Sequence, residues 1–194
     1  MRVLVVIPAY RESRRLPALF GDIAAHLKKP AVRPFDVNFL IVDDGSGEEE
    51  VEKISPLISA HGLTEAVSLV QLGVNQGKGA ALKAGFKSGL RSGYDCLGFM
   101  DADGSVPVSA LYEVIDYLHK RADTPLAAVV ASRVEMLGRD ISRSLFRHYV
   151  SRAFATFVSL YFRARIYDSQ CGLKVFKGDV LKRYLDAPTD PRWV

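Results

Sequence analysis

The apolar positions of this chain fall into short unbroken runs, separated by longer stretches in which they recur every third or fourth residue. Val3 to Ile7 is the first run, of the kind a parallel strand shows when it is buried on both faces. Pro8 closes it. Leu16, Leu19, Phe20, Ile23 and Leu27 then keep helical spacing, with Ser13 expected as N-cap and Pro17 in the first turn. Phe39 to Val42 predicts a second strand, and Val51, Ile54 and Ile58 a second helix. Val67 to Leu72 predicts a third strand, followed by a helix opened by Gly77-Lys78-Gly79 and carrying Ala80, Ala81, Ala84 and Leu90. Cys96 to Met100 is the fourth run, Leu111 to Leu118 the next amphipathic stretch, and Leu126 to Ala131 a fifth strand.

Strand and helix alternating with short loops predict an α/β fold built on an open, mostly parallel sheet with right-handed crossovers. Ligands of such sheets sit outside the carboxyl ends of the strands. That rule selects Pro8 to Glu12, Asp43 to Ser46 and Asp101 to Ser105, and all of these loops carry carboxylates. No internal repeat or low-complexity linker interrupts the pattern.

After Ser132 the pattern changes. Arg133, Arg139, Arg143, Arg147 and Arg152 punctuate a segment that turns apolar from Leu145 to Phe162, with Phe146, Tyr149, Phe154, Phe157 and Tyr161 at helical spacing. Such a stripe fits a core helix or a helix lying at a membrane interface with its basic residues at headgroup level. Asp168 to Phe176 reads as a loop feeding a short strand, and Pro188 to Val194 as an irregular tail.

With 48% hydrophobic and 25% charged residues the chain is of ordinary globular composition, which excludes a disordered or fibrous protein. Its net charge of +4 favours an anionic partner without selecting one. Cys96 and Cys171 offer neither a disulfide framework nor a metal cluster, which points to a reducing compartment. The apolar run after Met1-Arg2 is too short for a signal-peptide core. No run is long enough to span a bilayer, so a soluble or peripheral protein is expected.

The chemistry concentrates at the end of the fourth strand. Asp101 and Asp103 lie one residue apart, and on an extended segment both would face one side. Magnesium and manganese take one or two protein carboxylates and complete their shell with water and phosphate oxygens, so the pair suggests a metal that receives a diphosphate. A plain solvated turn accounts for Asp-Ala-Asp-Gly equally well. Asp43-Asp44 follows the second strand rather than the first, where a phosphoacceptor receiver domain would have it. The Asp101 motif likewise arrives too late for a haloacid-dehalogenase phosphatase. Gly77-Lys78-Gly79 lacks the Walker spacing, although a lysine at a helix start can reach a phosphate. His26, His61, His119 and His148 have no ligand spacing.

Val5 to Glu12, Ile41 to Ser46, Asn75-Gln-Gly-Lys-Gly79 and Asp101-Ala-Asp103 occur in the order and spacing of inverting family 2 glycosyltransferases, which they resemble over nearly the whole chain. Ala131-Ser-Arg133, Arg143 to Arg147 and Asp168 to Phe176 look like the dolichyl-phosphate β-glucosyltransferases of that family, with dolichyl-phosphate mannose synthases as relatives. The resemblance implies a single GT-A domain over residues 1–194. Residues 1–132 would form the nucleotide-sugar half, and residues 133–194 an acceptor half that is incomplete at its C-terminal side. It implies that Pro8, Tyr10 and Glu12 hold the base and ribose, with Val42 and Asp44 completing the nucleoside pocket and Lys78 near the phosphates. Asp101, Ala102 and Asp103 would line the sugar diphosphate, Asp101 and Asp103 holding Mg2+ or Mn2+. Arg133 and Arg147 would grip the acceptor phosphate, with Asp101, Asp103 and Arg133 nearest the reaction. The implied partners are a nucleotide diphosphate sugar, a polyprenyl or dolichyl phosphate and the cytoplasmic face of a membrane, with no nucleic acid. Arg11 stands where the family usually has Asn, and Ser105 where the mannose synthases have a longer amide.

Overall fold

A computed structural model describes residues 1–29, 33–131 and 171–186. The expected helix from Leu145, the arginines Arg133 and Arg147 and the tail from Pro188 lie outside the described residues. Residues group by contact into two units, Met1–Val129 with Gly172–Val194, and Val130–Cys171. Everything below concerns the first unit, apart from the last residue of the fifth strand.

The elements follow the predicted alternation: β1 (Arg2–Ala9), α1 (Leu16–Leu27), β2 (Asp36–Asp43), α2 (Glu48–Ala60), β3 (Val67–Gln71), α3 (Lys78–Arg91), β4 (Cys96–Met100), α4 (Val108–His119), β5 (Ala128–Val130), β6 (Leu173–Lys177) and α5 (Gly178–Tyr184). They build one six-stranded sheet in the order β3-β2-β1-β4-β6-β5. The β1, β2, β3 and β4 pairings are parallel, whereas β6 runs antiparallel to β4. Strand order reverses at β1. The chain winds outward through β2 and β3, then returns to place β4 on the other side of β1. A crevice between the carboxyl ends of β1 and β4 is the expected ligand position for such topology.

The unbroken apolar runs are explained by burial on both faces. Leu4, Val6, Leu40, Val42, Leu97 and Phe99 pack with Ala81, Leu82 and Phe86 of α3. Their neighbours Val3, Val5, Ile7, Phe39 and Ile41 are buried as well. Gly85 and Gly89 let α3 lie close on this sheet: a Cβ at Gly85 would come within 2.5 Å of Val6 Cγ1, and one at Gly89 within 2.8 Å of Leu4 Cδ2. Apolar stripes of α1 (Leu16, Leu19, Phe20, Ile23) and α4 (Leu111, Ile115, Leu118) are buried too. His26 of α1 stacks on Tyr112 of α4 with ring centroids 4.1 Å apart. No described helix is long and apolar enough to cross a membrane.

Two local expectations are corrected. Ser13 does not cap α1: the cap position is Arg15, without a side-chain bond, and the first turn is closed by N–H donation from Arg15 and Leu16 to the Glu12 carbonyl. The Ser13 N–H instead donates to Glu50 Oε1 at 3.0 Å, tying the loop to α2. Hydrogen bonding from the Ser13 side chain, and then from its backbone N–H, holds the Glu50 carboxyl below its usual range. The second correction concerns Asp101 and Asp103. Strand β4 stops at Met100, and the two acids sit in the turn that follows, which Gly104 completes at φ 68°. Strand alternation therefore does not orient this pair.

Candidate active site at the carboxyl edge of the sheet

Each carboxylate at this edge is oriented by a bond to a neighbouring loop. Asp43, at 0% exposure, accepts the Ser46 N–H on Oδ2 at 2.9 Å and shapes the turn after β2; its Oδ1 has no partner. Asp44, 3% exposed, reaches further. Its Oδ1 accepts the Gln76 N–H at 2.9 Å and its Oδ2 the Gly77 N–H at 2.7 Å. These donors stand at the start of α3, where backbone N–H groups lack helical partners. Asp44 thus holds the Asn75–Gly77 loop from a distant strand, and Lys78 follows directly.

Lys78 Nζ lies 2.6 Å from Asp101 Oδ1 and 5.2 Å from the centre of the Phe99 ring. Both partners of the pair are partly exposed, and such pairs contribute about 0–1 kcal/mol to stability. Its consequence is positional: a cation and a carboxylate are held side by side at the rim. The Asp101 N–H donates to the Gly172 carbonyl at 3.0 Å, continuing the β4–β6 ladder by one bond. Asp103 Oδ1 accepts the Ser105 N–H at 2.9 Å.

Together these residues enclose a cavity of about 300 Å³, lined by Pro8, Ala9, Tyr10, Glu12, Arg15, Asp44, Lys78, Asp101, Ala102 and Asp103. The structure therefore brings Pro8, Tyr10, Glu12, Asp44, Lys78 and Asp101 to Asp103 to one place. Val42 is the exception. It is 1% exposed and its side chain packs in the core beneath α3 rather than into the cavity. Arg15 is a lining residue that the motifs did not single out; its guanidinium meets Glu12 Oε1 at 3.1 Å. Only its spacing one helical turn after Glu12 hinted at this. Tyr10 is 42% exposed, and the Arg11 guanidinium lies 5.1 Å from its ring centre. Arg11 itself has φ 57°, and its N–H donates to Ser46 Oγ at 2.8 Å.

The lining has more carboxylates than cations. Glu12 is paired with Arg15 and Asp101 with Lys78, while Asp44 is engaged by two backbone N–H groups. Asp103, with a single backbone donor, is the acid with most coordinating capacity left. Among the described residues no group of three or more His, Cys, Asp or Glu gathers as a self-sufficient metal cage. Two carboxylates in an open cavity nevertheless fit a hard divalent cation, because magnesium and manganese complete their shells with water and phosphate oxygens.

Comparison with known proteins gives the family and the fold. The Glycosyl transferase family 2 model matches residues 4–184. A dolichyl-phosphate β-glucosyltransferase of Dictyostelium discoideum is 30% identical over 193 residues, covering 97% of this chain and 58% of that protein. A polyprenol monophosphomannose synthase of Mycolicibacterium smegmatis is 31% identical over 94% of this chain and 64% of its own length. The chain thus spans less than two thirds of these relatives. A mannosyltransferase from Pyrobaculum calidifontis, solved with GDP-Man and Mn2+, superposes with a TM-score of 0.61 at 19% identity, covering 98% of this chain and 49% of that one. S. aureus TarS with UDP-GlcNAc gives 0.60 at 16% identity, over 94% and 47%. These likenesses establish the GT-A fold. On the family match over most of its length, the chain belongs to glycosyl transferase family 2.

Proposed function

We propose that this chain is the donor-binding part of an inverting glycosyltransferase that moves a hexose, glucose from UDP-glucose, onto a polyprenyl or dolichyl phosphate at the cytoplasmic face of a membrane. The observation that carries this reading is the convergence of Tyr10, Glu12, Asp44, Lys78, Asp101 and Asp103 on one cavity at the sheet's switch point. The names of the relatives support the acceptor class, since they act with dolichyl phosphate or make a polyprenol monophosphomannose.

In this reading Pro8, Tyr10 and Glu12 receive the base and ribose at the β1 end. Asp44 keeps the α3 loop in place and offers its remaining lone pairs to the nucleoside. Lys78 leans from the first residue of α3 toward the diphosphate. Asp103, with Asp101, would hold Mg2+ or Mn2+, which when bound neutralises the charge developing on the departing diphosphate. The lining sets four carboxylates against Arg15 and Lys78, and the remaining negative charge would repel a diphosphate without such a cation. A phosphate oxygen of the acceptor is already ionised near neutral pH. Its attack needs no strong general base, unlike attack by a sugar hydroxyl. Arg133 and Arg147 would bind that phosphate, a geometry guanidinium groups favour.

Asp103→Asn tests the donor side. Calorimetry of UDP with Mn2+ present is expected to lose its metal-dependent part in the variant while the fold persists. Unchanged affinity would remove Asp103 from the metal site. Arg133→Ala and Arg147→Ala, made in a full-length relative, are expected to impair transfer to a polyprenyl phosphate and to leave UDP binding intact.

A further inference from the structure

Strand β6 comes from the second half of the sequence, yet it lies antiparallel against β4, with Met100 opposite Leu173. The next position pairs Asp101 with Gly172, and the Asp101 N–H still donates to the Gly172 carbonyl. At that position residue 172 has no side chain, and Asp101 uses the space. A Cβ built on Gly172 would overlap Asp101 Oδ2, lie 2.6 Å from its Cγ and 3.2 Å from its Cβ. Gly172 is buried, and the carboxylate is held from the other side by Lys78 on Oδ1. Lys174, two residues on, brings its ammonium within 5.0 Å of the Phe99 ring centre, the ring that Lys78 also approaches. Asp101 is thus folded back over β6 toward Lys78, rather than projecting freely from the turn.

We propose that Gly172 is a positioning residue: its missing side chain is the seat that turns the Asp101 carboxylate toward Lys78 and into the cavity. The glycine is required by close approach, not by backbone conformation, since it is not among the residues at positive φ. Any larger residue pushes the carboxylate off the β6 strand and breaks the contact with Lys78. The donor-site consequence rests on the nucleotide-sugar reading above; the seat itself does not. Motif reading could not assign this role, because Gly172 and Asp101 are far apart in sequence and meet only through the β4–β6 pairing.

The test is a double-mutant cycle of Gly172→Ala and Asp101→Gly, read in two ways. The first needs no ligand: the 13Cε resonance of Lys78 in Gly172→Ala is expected to move to its position in Asp101→Gly, because both lose the carboxylate contact. An unmoved Lys78 signal in a folded Gly172→Ala chain overturns the proposal. The second is calorimetry with UDP-glucose and Mn2+. Gly172→Ala is expected to weaken binding about tenfold or more, as loss of a charged contact to the donor diphosphate or its metal does, and to have no further effect when Asp101 is already glycine. Additive losses overturn the proposal. Should Gly172→Ala fail to fold, the double variant is expected to fold, since the carboxylate and Cβ that would clash are gone; failure of both overturns it. If wild-type chain does not bind UDP-glucose, the nucleotide-sugar reading fails while the Lys78 resonance still decides the seat.

Discussion

Replacing Asp44 by alanine removes two charge-assisted hydrogen bonds at once, to the Gln76 and Gly77 N–H groups at 2.9 and 2.7 Å. The carboxylate itself is almost fully buried, whereas Gln76 is exposed and Gly77 half-buried. Hydrogen bonds to charged groups contribute about 1.5–3 kcal/mol each, and water can take over part of that at the exposed Gln76. The expected loss is therefore about 3–5 kcal/mol, a large share of the roughly 5–15 kcal/mol that holds a domain folded. For a chain of this size each kcal/mol shifts the melting temperature by about 2–4 °C, which predicts a fall of about 6 °C or more. Asp44→Asn is expected to fall between the two, because its amide keeps one acceptor and turns an NH2 donor toward a second N–H. Uridine affinity, measured without metal, should drop about tenfold or more in Asp44→Ala, since the carboxylate that would receive the nucleoside is gone. Calorimetric melting and uridine titration check both parts. A melting temperature within about one degree of wild type would refute the bracket between β2 and α3.

Arg11 occupies the left-handed region at φ 57°, which costs a non-glycine residue roughly 1–2 kcal/mol. Arg11→Gly is expected to raise stability by up to about 1 kcal/mol in chemical denaturation while weakening nucleoside binding, because Tyr10 loses the guanidinium over its ring. His26 has its pKa lowered below its ordinary 6.5, first by burial and then by the Arg33 and Lys29 charges, with Asp22 opposing. Its ring takes up a proton more readily in the unfolded chain. The stability it confers is therefore complete above the unfolded value and is lost as pH falls below it through the folded value. Denaturant midpoints between pH 7 and 5 should show this slope, and His26→Gln should flatten it.

Much of the architecture was legible because strands buried on both faces leave continuous apolar runs; Cys96 to Met100 is a strand over that whole run. The loops that carry the site were legible through the rule that ligands gather at strand carboxyl ends. What was not legible depends on residues distant in sequence. Asp44 meets Gln76 and Gly77 only because β2 and α3 converge, and Asp101 meets Gly172 only because β6 inserts beside β4. Ser13 looked like a cap by residue type, yet the bond to Glu50 of α2 won. Val42 sits within a matching motif, but its place in the strand turns its side chain into the core. Asp101 and Asp103 share a cavity through a turn rather than through strand alternation.

Paramagnetic broadening by Mn2+ in the presence of UDP-glucose measures the central claim directly, because it reports distance from the ion to every amide. On 15N-labelled chain, signals of Asp101 to Ser105 are expected to vanish first. Those of Tyr10, Asp44 and Lys78 should follow, and the α5 helix should be spared. UDP-glucose with diamagnetic Mg2+ should shift the same loops without broadening. Broadening centred anywhere else, or none at all with nucleotide sugar present, would contradict a metal-assisted donor site at this edge of the sheet.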